Sequence, residues 1–197
     1  MSVGAEMKLI LASGSPRRRE LMAEAGYVFE VVVSPAEELH DAGMRPGELC
    51  ETNAEGKAVA VADEWPDAVV VGADTLVWLD REPLGKPRTM DEARAMMRKL
   101  SGRGHVVCTG VCVVVPGPER RVVRFHEETV VVFRELSDAE IDAYFALVDP
   151  LDKAGAYGVQ EHGERIVADV RGSFSNVVGL PVERLAAVLW EVAKIGV

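Results

Sequence analysis

Ala68-Val69-Val70-Val71-Gly72-Ala73 is an unbroken apolar run. In a strand, successive side chains point to opposite faces. A strand that is apolar on both faces must be covered on both, so the chain needs a sheet with layers packed above and below it. Thr75 to Leu79 carries the run outward, and Asp80 to Gly85 turns the chain.

The remaining segments alternate between strand and helix patterns. Lys8 to Ala12 reads as a short buried strand broken by Ser13-Gly14-Ser15-Pro16. Ser15 suits a helix N-cap, with Pro16 at the first helical position and Gly26 at the left-handed stop. Val28 to Val33 is β-branched and aromatic, which predicts a second strand. Pro46 to Glu64 predicts a helix, although Gly56 costs it about 1 kcal/mol relative to alanine. Thr89-Met90-Asp91-Glu92 and Ser137-Asp138-Ala139-Glu140 read as capping boxes. Behind the first, Ala93, Met96, Met97 and Leu100 recur at helical spacing up to Gly102; the second helix ends before Pro150. His105 to Val115 and Arg121 to Phe133 predict a long hairpin around Pro116-Gly117-Pro118. Arg165 to Arg171 predicts a strand, and Pro181 opens a last helix with Leu185, Val188 and Leu189 on one face. Crossovers together with a hairpin imply an α/β or α+β chain with a mixed sheet.

A length of 197 residues, 48% hydrophobic and 27% charged, suits one domain with an ample core. Lys and Arg number 22 against 32 Asp and Glu, a net charge of -10. That balance argues against a nucleic-acid polymer or an anionic membrane as partner. An anionic ligand would need the few cations gathered at one place, with a metal ion helping. No apolar run reaches the roughly 18 residues of a membrane span, and Met1 to Met7 carries no secretory-signal pattern. The three cysteines, Cys50, Cys108 and Cys112, contain no Cys-x-x-Cys pair. Cys108 and Cys112 share a strand face and read as buried apolar side chains. A reduced, cytoplasmic protein is expected.

Two segments stand out for chemistry. Ser13-Gly14-Ser15-Pro16-Arg17-Arg18 turns a strand into a helix N-terminus, presenting backbone N–H groups, two hydroxyls and two guanidinium groups. That combination suits a polyphosphate; the plainer alternative is a capped helix with solvated arginines. The spacing is not that of a Walker P-loop. Asp74 follows the apolar strand, where open α/β sheets place ligands, and could bind a divalent metal or take a proton from water. The plainer alternative is a turn residue, which the continuing Thr75-Leu76-Val77 disfavours.

Weaker signals accompany these two. Gly85-Lys86-Pro87 would hold a lysine as a point charge for phosphate, while Lys57 reads by default as part of a solvated helix face. Glu37 and Glu38 could supply oxygen ligands to Mg²⁺. Gln160, in the polar loop from Asp152, could read a base edge through paired donor and acceptor atoms. The four histidines show no metal-ligand spacing.

In this order, six stretches resemble the Maf family of nucleoside triphosphate pyrophosphatases. They are Leu11 to Arg18, Gly72 to Thr75, Gly85 to Pro87, Lys99 to Gly102, Asp152 to Gln160, and Asn176 to Pro181. The resemblance implies a twisted mixed central sheet flanked by helices, with two lobes around a cleft. It implies hydrolysis of a nucleoside triphosphate to the monophosphate and pyrophosphate with a divalent cation, Mg²⁺ or Mn²⁺, and it allows a homodimer. By carry-over, Asp74 is the proton acceptor. Ser13, Arg17, Arg18, Lys57 and Lys86 match phosphate-side positions, and Glu37 and Glu38, with Asp74, the metal positions. Arg17, Thr75 and Gln160 match the branch that prefers dTTP and UTP. Glu161 departs from that branch, which commonly has glycine there, and adds a carboxylate near the expected base pocket. Two alternatives remain open: house-cleaning hydrolysis of modified nucleotides, and a nucleotide-binding regulator of cell division or septum formation.

Overall fold

The apolar run at 68–73 is the start of the strand around which the molecule is organised. A computed structural model describes residues 7–41, 43–80 and 82–195. Strand β3, Val69–Leu79, is buried along nearly its whole length. Its start pairs in parallel with β1, Leu9–Leu11, in the register Leu9↔Val69 to Leu11↔Val71. Its end pairs antiparallel with β4, Glu82–Leu84, beginning at Val77↔Leu84. Among the described residues, 72–76 of β3 therefore have no strand beside them on that edge. The other edge pairs with β5, Gly104–Val115, from Val70 to Trp78. β5 continues by hairpin into β6, Arg121–Phe133, and β6 pairs with β7, Val167–Arg171. With β2, Glu30–Val31, pairing beside β1, the result is a seven-stranded mixed sheet in the order β2-β1-β3-β5-β6-β7, with β4 alongside β3.

Among the described residues, six α-helices cover this sheet: α1 Pro16–Glu24, α2 Pro46–Glu64, α3 Met90–Leu100, α4 Asp138–Phe145, α5 Phe174–Val178 and α6 Val182–Ile195. Alternation along β3 divides the core into two sides. Val69, Val71, Ala73, Val77 and Leu79 join the large cluster with Met97, Leu100, Ile141 and Leu185. Val70 packs on Ala54, Ala58 and Val61 of α2, and Leu76 and Trp78 on Leu49 and Cys50. Two glycines set how close α2 lies. A Cβ at Gly72 would collide with the backbone of Ala54 and Ala58, and one at Gly110 with the backbone of Cys50 and Glu51. Gly110 pairs with Asp74 across β3 and β5.

Three expectations from the sequence need correction. The strand over Val28 to Val33 shrinks to β2, Glu30–Val31, because β1 is only three residues long and offers partners at Ile10 and Leu11 alone. Asp80 to Gly85 is not all turn, since 82–84 return as β4; within it, Arg81 lies outside the described residues. The box at Thr89 is half formed. Thr89 Oγ1 accepts from the Glu92 N–H, but the Glu92 carboxylate takes the N–H and guanidinium of Arg88, a charge-assisted alternative one residue upstream. The box at Ser137 is complete. Cys108 and Cys112 are buried free thiols, as their positions on one strand predict, and Cys50 is buried as well.

One polar pair sits inside the core. His105 is 2% exposed, and its Nε2 lies 2.7 Å from the Tyr157 hydroxyl. Phe133 packs edge-on against both rings. The His105 Nδ1 has no partner among the described residues, and burial lowers the imidazole from 6.5 to about 4. Between those values the unfolded chain binds a proton that the folded chain refuses. Stability is therefore full above pH 6.5 and falls as pH drops toward 4. Urea denaturation at pH 7 and pH 4.5 is expected to show about 2 kcal/mol lost from this group. His105→Gln should remove that part of the slope; an unchanged slope would contradict neutral burial.

Candidate active site

The unpaired edge at 72–76 is where β1 leaves the sheet and turns through Ser13 into α1. A cleft of about 420 Å³ opens there, within the usual range for a small-ligand site. Arg17 and Arg18 of α1, Lys57 of α2, Asp74 to Val77, Lys86 and Gln160 all border it. A second chamber of about 360 Å³ shares Arg17, Arg18, Glu38, Lys57, Lys86 and Asp152 and is lined by 12–16 at the start of α1. The Arg17–Asp152 ion pair, at 3.3 Å, lines both chambers. Five cations, with Lys153, face three carboxylates in the first chamber. In a chain of net charge -10, that local excess is what a polyanionic ligand requires.

Asp74 is 4% exposed and faces α2. Its Oδ1 accepts from Lys57 Nζ at 2.7 Å and its Oδ2 from Asn53 Nδ2 at 3.0 Å. Asn53 and Lys57 are four residues apart, so one face of α2 presents both. Asn53 also holds both backbone groups of Leu39, and Lys57 Nζ reaches Glu38 Oε1 at 2.6 Å. The loop carrying Glu38 is thus fastened to the helix that orients Asp74. Glu37 remains exposed and does not border the cleft, because neighbouring side chains in a non-helical segment point apart.

On the opposite face of β3, Arg18 is a clamp. Its guanidinium donates to Ser13 Oγ at 3.2 Å, Thr75 Oγ1 at 2.9 Å and the Gly179 carbonyl at 2.8 Å. Burial lowers its pKa, against the raising effect of the Asp74 charge. Thr75 Oγ1 also meets Thr109 Oγ1 at 2.9 Å. Thr109 donates in turn to the carbonyl of the fully buried Asn176.

Gln160 is exposed at the end of a segment held by buried groups. The Tyr144 hydroxyl brackets Gly158, donating to its carbonyl and accepting from its N–H. Lys153 is 4% exposed, and its Nζ bonds the Asp149 carbonyl at 2.8 Å, Asp152 at 2.6 Å and Glu161 at 3.2 Å. The Glu161 carboxylate therefore turns to Lys153, within the segment. Burial raises the Asp152 carboxyl, but Lys153 and then Arg17 bring it below its ordinary value. Asn53 and Lys153 were not singled out by sequence. An asparagine four residues before Lys57 on an alanine-rich helix was a usable signal; nothing local marks a buried lysine.

The family model for Maf-like proteins matches residues 8–192. The chain belongs to the Maf family. Among curated relatives of this Maf chain, a dTTP/UTP pyrophosphatase of Akkermansia muciniphila is 53% identical over 88% of the chain and 90% of the relative. One from Bacillus cereus is 47% identical, covering 90% and 92% respectively. A solved structure, the Ham1 protein of Staphylococcus aureus, shares the fold at a TM-score of 0.52 and 16% identity, over 93% of this chain and 98% of that one. Among the described residues, no helix is long and apolar enough to cross a membrane.

Proposed function

We propose that this Maf-family chain hydrolyses dTTP and UTP to the monophosphate and pyrophosphate, with Asp74 taking the proton of the attacking water. The enzyme class, a nucleoside triphosphate pyrophosphatase, rests on relatives at 47% and 53% identity that cover most of the chain. The observation that carries the chemistry is a buried carboxylate aimed by Lys57 and Asn53 into a cleft rich in cations.

In the proposed reaction, water adds to the α-phosphorus and the bond from that phosphorus to the bridging oxygen breaks. Pyrophosphate leaves, and the proton from water passes to Asp74. Such a transfer depends on positioning and on stabilising charge spread over phosphate oxygens. Arg17, Lys86 and the N–H groups at the start of α1 are the groups available for the triphosphate. Arg18 acts by holding Ser13 and Thr75 in place. Arg17, Thr75 and Gln160 border one chamber, which supports a shared part in choosing the base.

The residues present fit a divalent cation. Glu38 Oε1 and Asp74 Oδ1 both reach one Lys57 nitrogen, so hard oxygen donors from a loop and β3 lie within reach of one cation, with the Lys57 ammonium moving aside for it. Mg²⁺ commonly takes one or two carboxylates with substrate phosphates completing its shell. Among the described residues, no group of three or more His, Cys, Asp or Glu side chains gathers as a metal cluster, and Glu37 stands apart. Glu38 and Asp74 would thus hold the ion, which when bound would neutralise phosphate charge.

The test is pyrophosphate release from dTTP, UTP, CTP, GTP, 7-methyl-GTP and ITP with Mg²⁺ or Mn²⁺, and with excess chelator. Metal-dependent release from dTTP and UTP is expected. Turnover of a different nucleotide alone would overturn the substrate reading, and release that survives complete chelation would overturn the metal reading.

A further inference from the structure

A lysine that borders a ligand cleft and is yet almost fully buried calls for a physical account. Lys153 is 4% exposed; its Nζ donates hydrogen bonds to the Asp149 carbonyl and the Asp152 carboxylate and forms an ion pair with the Glu161 carboxylate at 3.2 Å. Burying an ammonium costs free energy unless it is paired and hydrogen-bonded, and here it is both. Each partner lies on the same stretch of chain, 149–161, so the lysine draws that stretch together around one charge. The stretch carries the strained residue Ala156, fully buried at φ 67°, beside Gly155 at φ 69°. A left-handed non-glycine residue persists where its surroundings over-determine it.

The second partner leads out of the loop. Asp152 offers Oδ1 to Lys153 and Oδ2 to Arg17 at 3.3 Å. The charges then alternate along one line: Arg17, Asp152, Lys153, Glu161. One end is the α1 side chain that borders both chambers; the other adjoins Gln160 in sequence. We infer that Lys153 is a positioning residue for base selection, holding Gln160 and Arg17 in a fixed relation through Glu161 and Asp152. The inference rests on the reading that Arg17 and Gln160 select the base. It goes further in naming what aligns them. Lys153 acts through its neighbours and takes no part in the transfer itself.

The structural role has a kinetic signature of its own. Loss of alignment at the base, with Asp74, Lys57 and Asn53 untouched, should weaken preferred-substrate binding and blur discrimination more than it slows turnover. Misplacement of a positioned group by about 1 Å can cost up to about a hundredfold. Steady-state kcat and KM for dTTP, UTP, CTP and GTP would be measured for wild type, Lys153→Met, Glu161→Gln and the double variant. Lys153→Met is expected to raise KM for dTTP about tenfold, to leave kcat within about threefold, and to shrink the preference for dTTP over CTP about tenfold. Glu161→Gln should move the same ratio in the same direction by less. The two effects should be non-additive in the double variant, because both act through one contact.

An equal fall in kcat for every nucleotide, with the preference ratio unchanged, would mark a merely structural lysine and overturn the proposal. Should Lys153→Met fail to fold, Glu161→Gln still decides, since that side chain is partly exposed; an unmoved ratio there also overturns the proposal. A wild-type enzyme without preference among the four nucleotides would overturn the base-selection reading beneath it. Wild-type preference that both variants retain would overturn this proposal alone.

Discussion

Asp74→Asn is expected to lower pyrophosphate release from dTTP by about a hundredfold to ten-thousandfold, the usual range for removing a positioned general base. Nucleotide affinity measured without divalent cation should change only a few-fold, because Arg17, Lys86 and the start of α1 are untouched and the ion Asp74 would help hold is absent. Asparagine keeps the shape of the side chain, but only one of its two ends accepts a hydrogen bond. It can satisfy Lys57 or Asn53, which now donate to separate oxygens of the carboxylate. Its effect on stability should therefore be about 1 kcal/mol, too small to explain such a rate loss. Single-turnover kinetics beside calorimetric titration with dTTP would check both halves. Turnover within threefold of wild type would remove Asp74 from the role proposed for it. The same variant separates hydrolysis from the regulator alternative, since it would still bind nucleotide.

The other large effect concerns a residue with no side chain. Gly110→Ala should destabilise the fold by about 3 kcal/mol, the upper part of the usual range for overpacking. The new methyl group would meet the backbone of Cys50 and Glu51, and backbone cannot rotate away as a side chain can. For a domain of this size that corresponds to a Tm lower by roughly 6–12 °C. Activity should fall as well, since relief requires α2 to move off the sheet and α2 carries Asn53 and Lys57. Thermal unfolding with dTTP hydrolysis at a low temperature would test it. An unchanged Tm would mean that α2 can shift without cost, contrary to the packing at Gly72 and Gly110.

Much of the fold was legible because local patterns and tertiary contacts agree. The apolar run at 68–73, the period of Ala93 to Leu100 and the Ser15-Pro16 cap each predict elements found close to the expected bounds. Where prediction failed, a partner decided the outcome. Val28 to Val33 has strand composition, yet Val28 is 94% exposed because the parallel register Ile10↔Glu30 sets it beside Lys8, before β1 begins at Leu9. Glu92 has the right spacing for a box at Thr89, and a neighbouring arginine takes its carboxylate instead.

The site divides in the same way. Arg17, Arg18, Asp74, Thr75, Lys86 and Gln160 lie in the motif stretches, Glu38 and Lys57 were carried over with them from the resemblance, and all eight border one continuous cleft. Their identities are properties of short stretches, which sequence displays directly. Which of two adjacent glutamates faces Lys57 is not such a property, and neither is the use of Arg18 as a clamp on Thr75 and Gly179. The burial of Lys153 among Asp149, Asp152 and Glu161 depends on how the 149–161 segment closes on itself.

Residue types and their periodicity, by themselves, determined the mixed sheet and its helices, because propensity and hydrophobic pattern act over a few neighbouring residues; the residues of the cleft were named through the family resemblance. Tertiary structure alone decided the aim of each group. Hydrogen-bond geometry and burial depend on distances between residues far apart in the chain, as with Asn53 and Asp74 on α2 and β3, and Arg17 and Asp152 across the cleft.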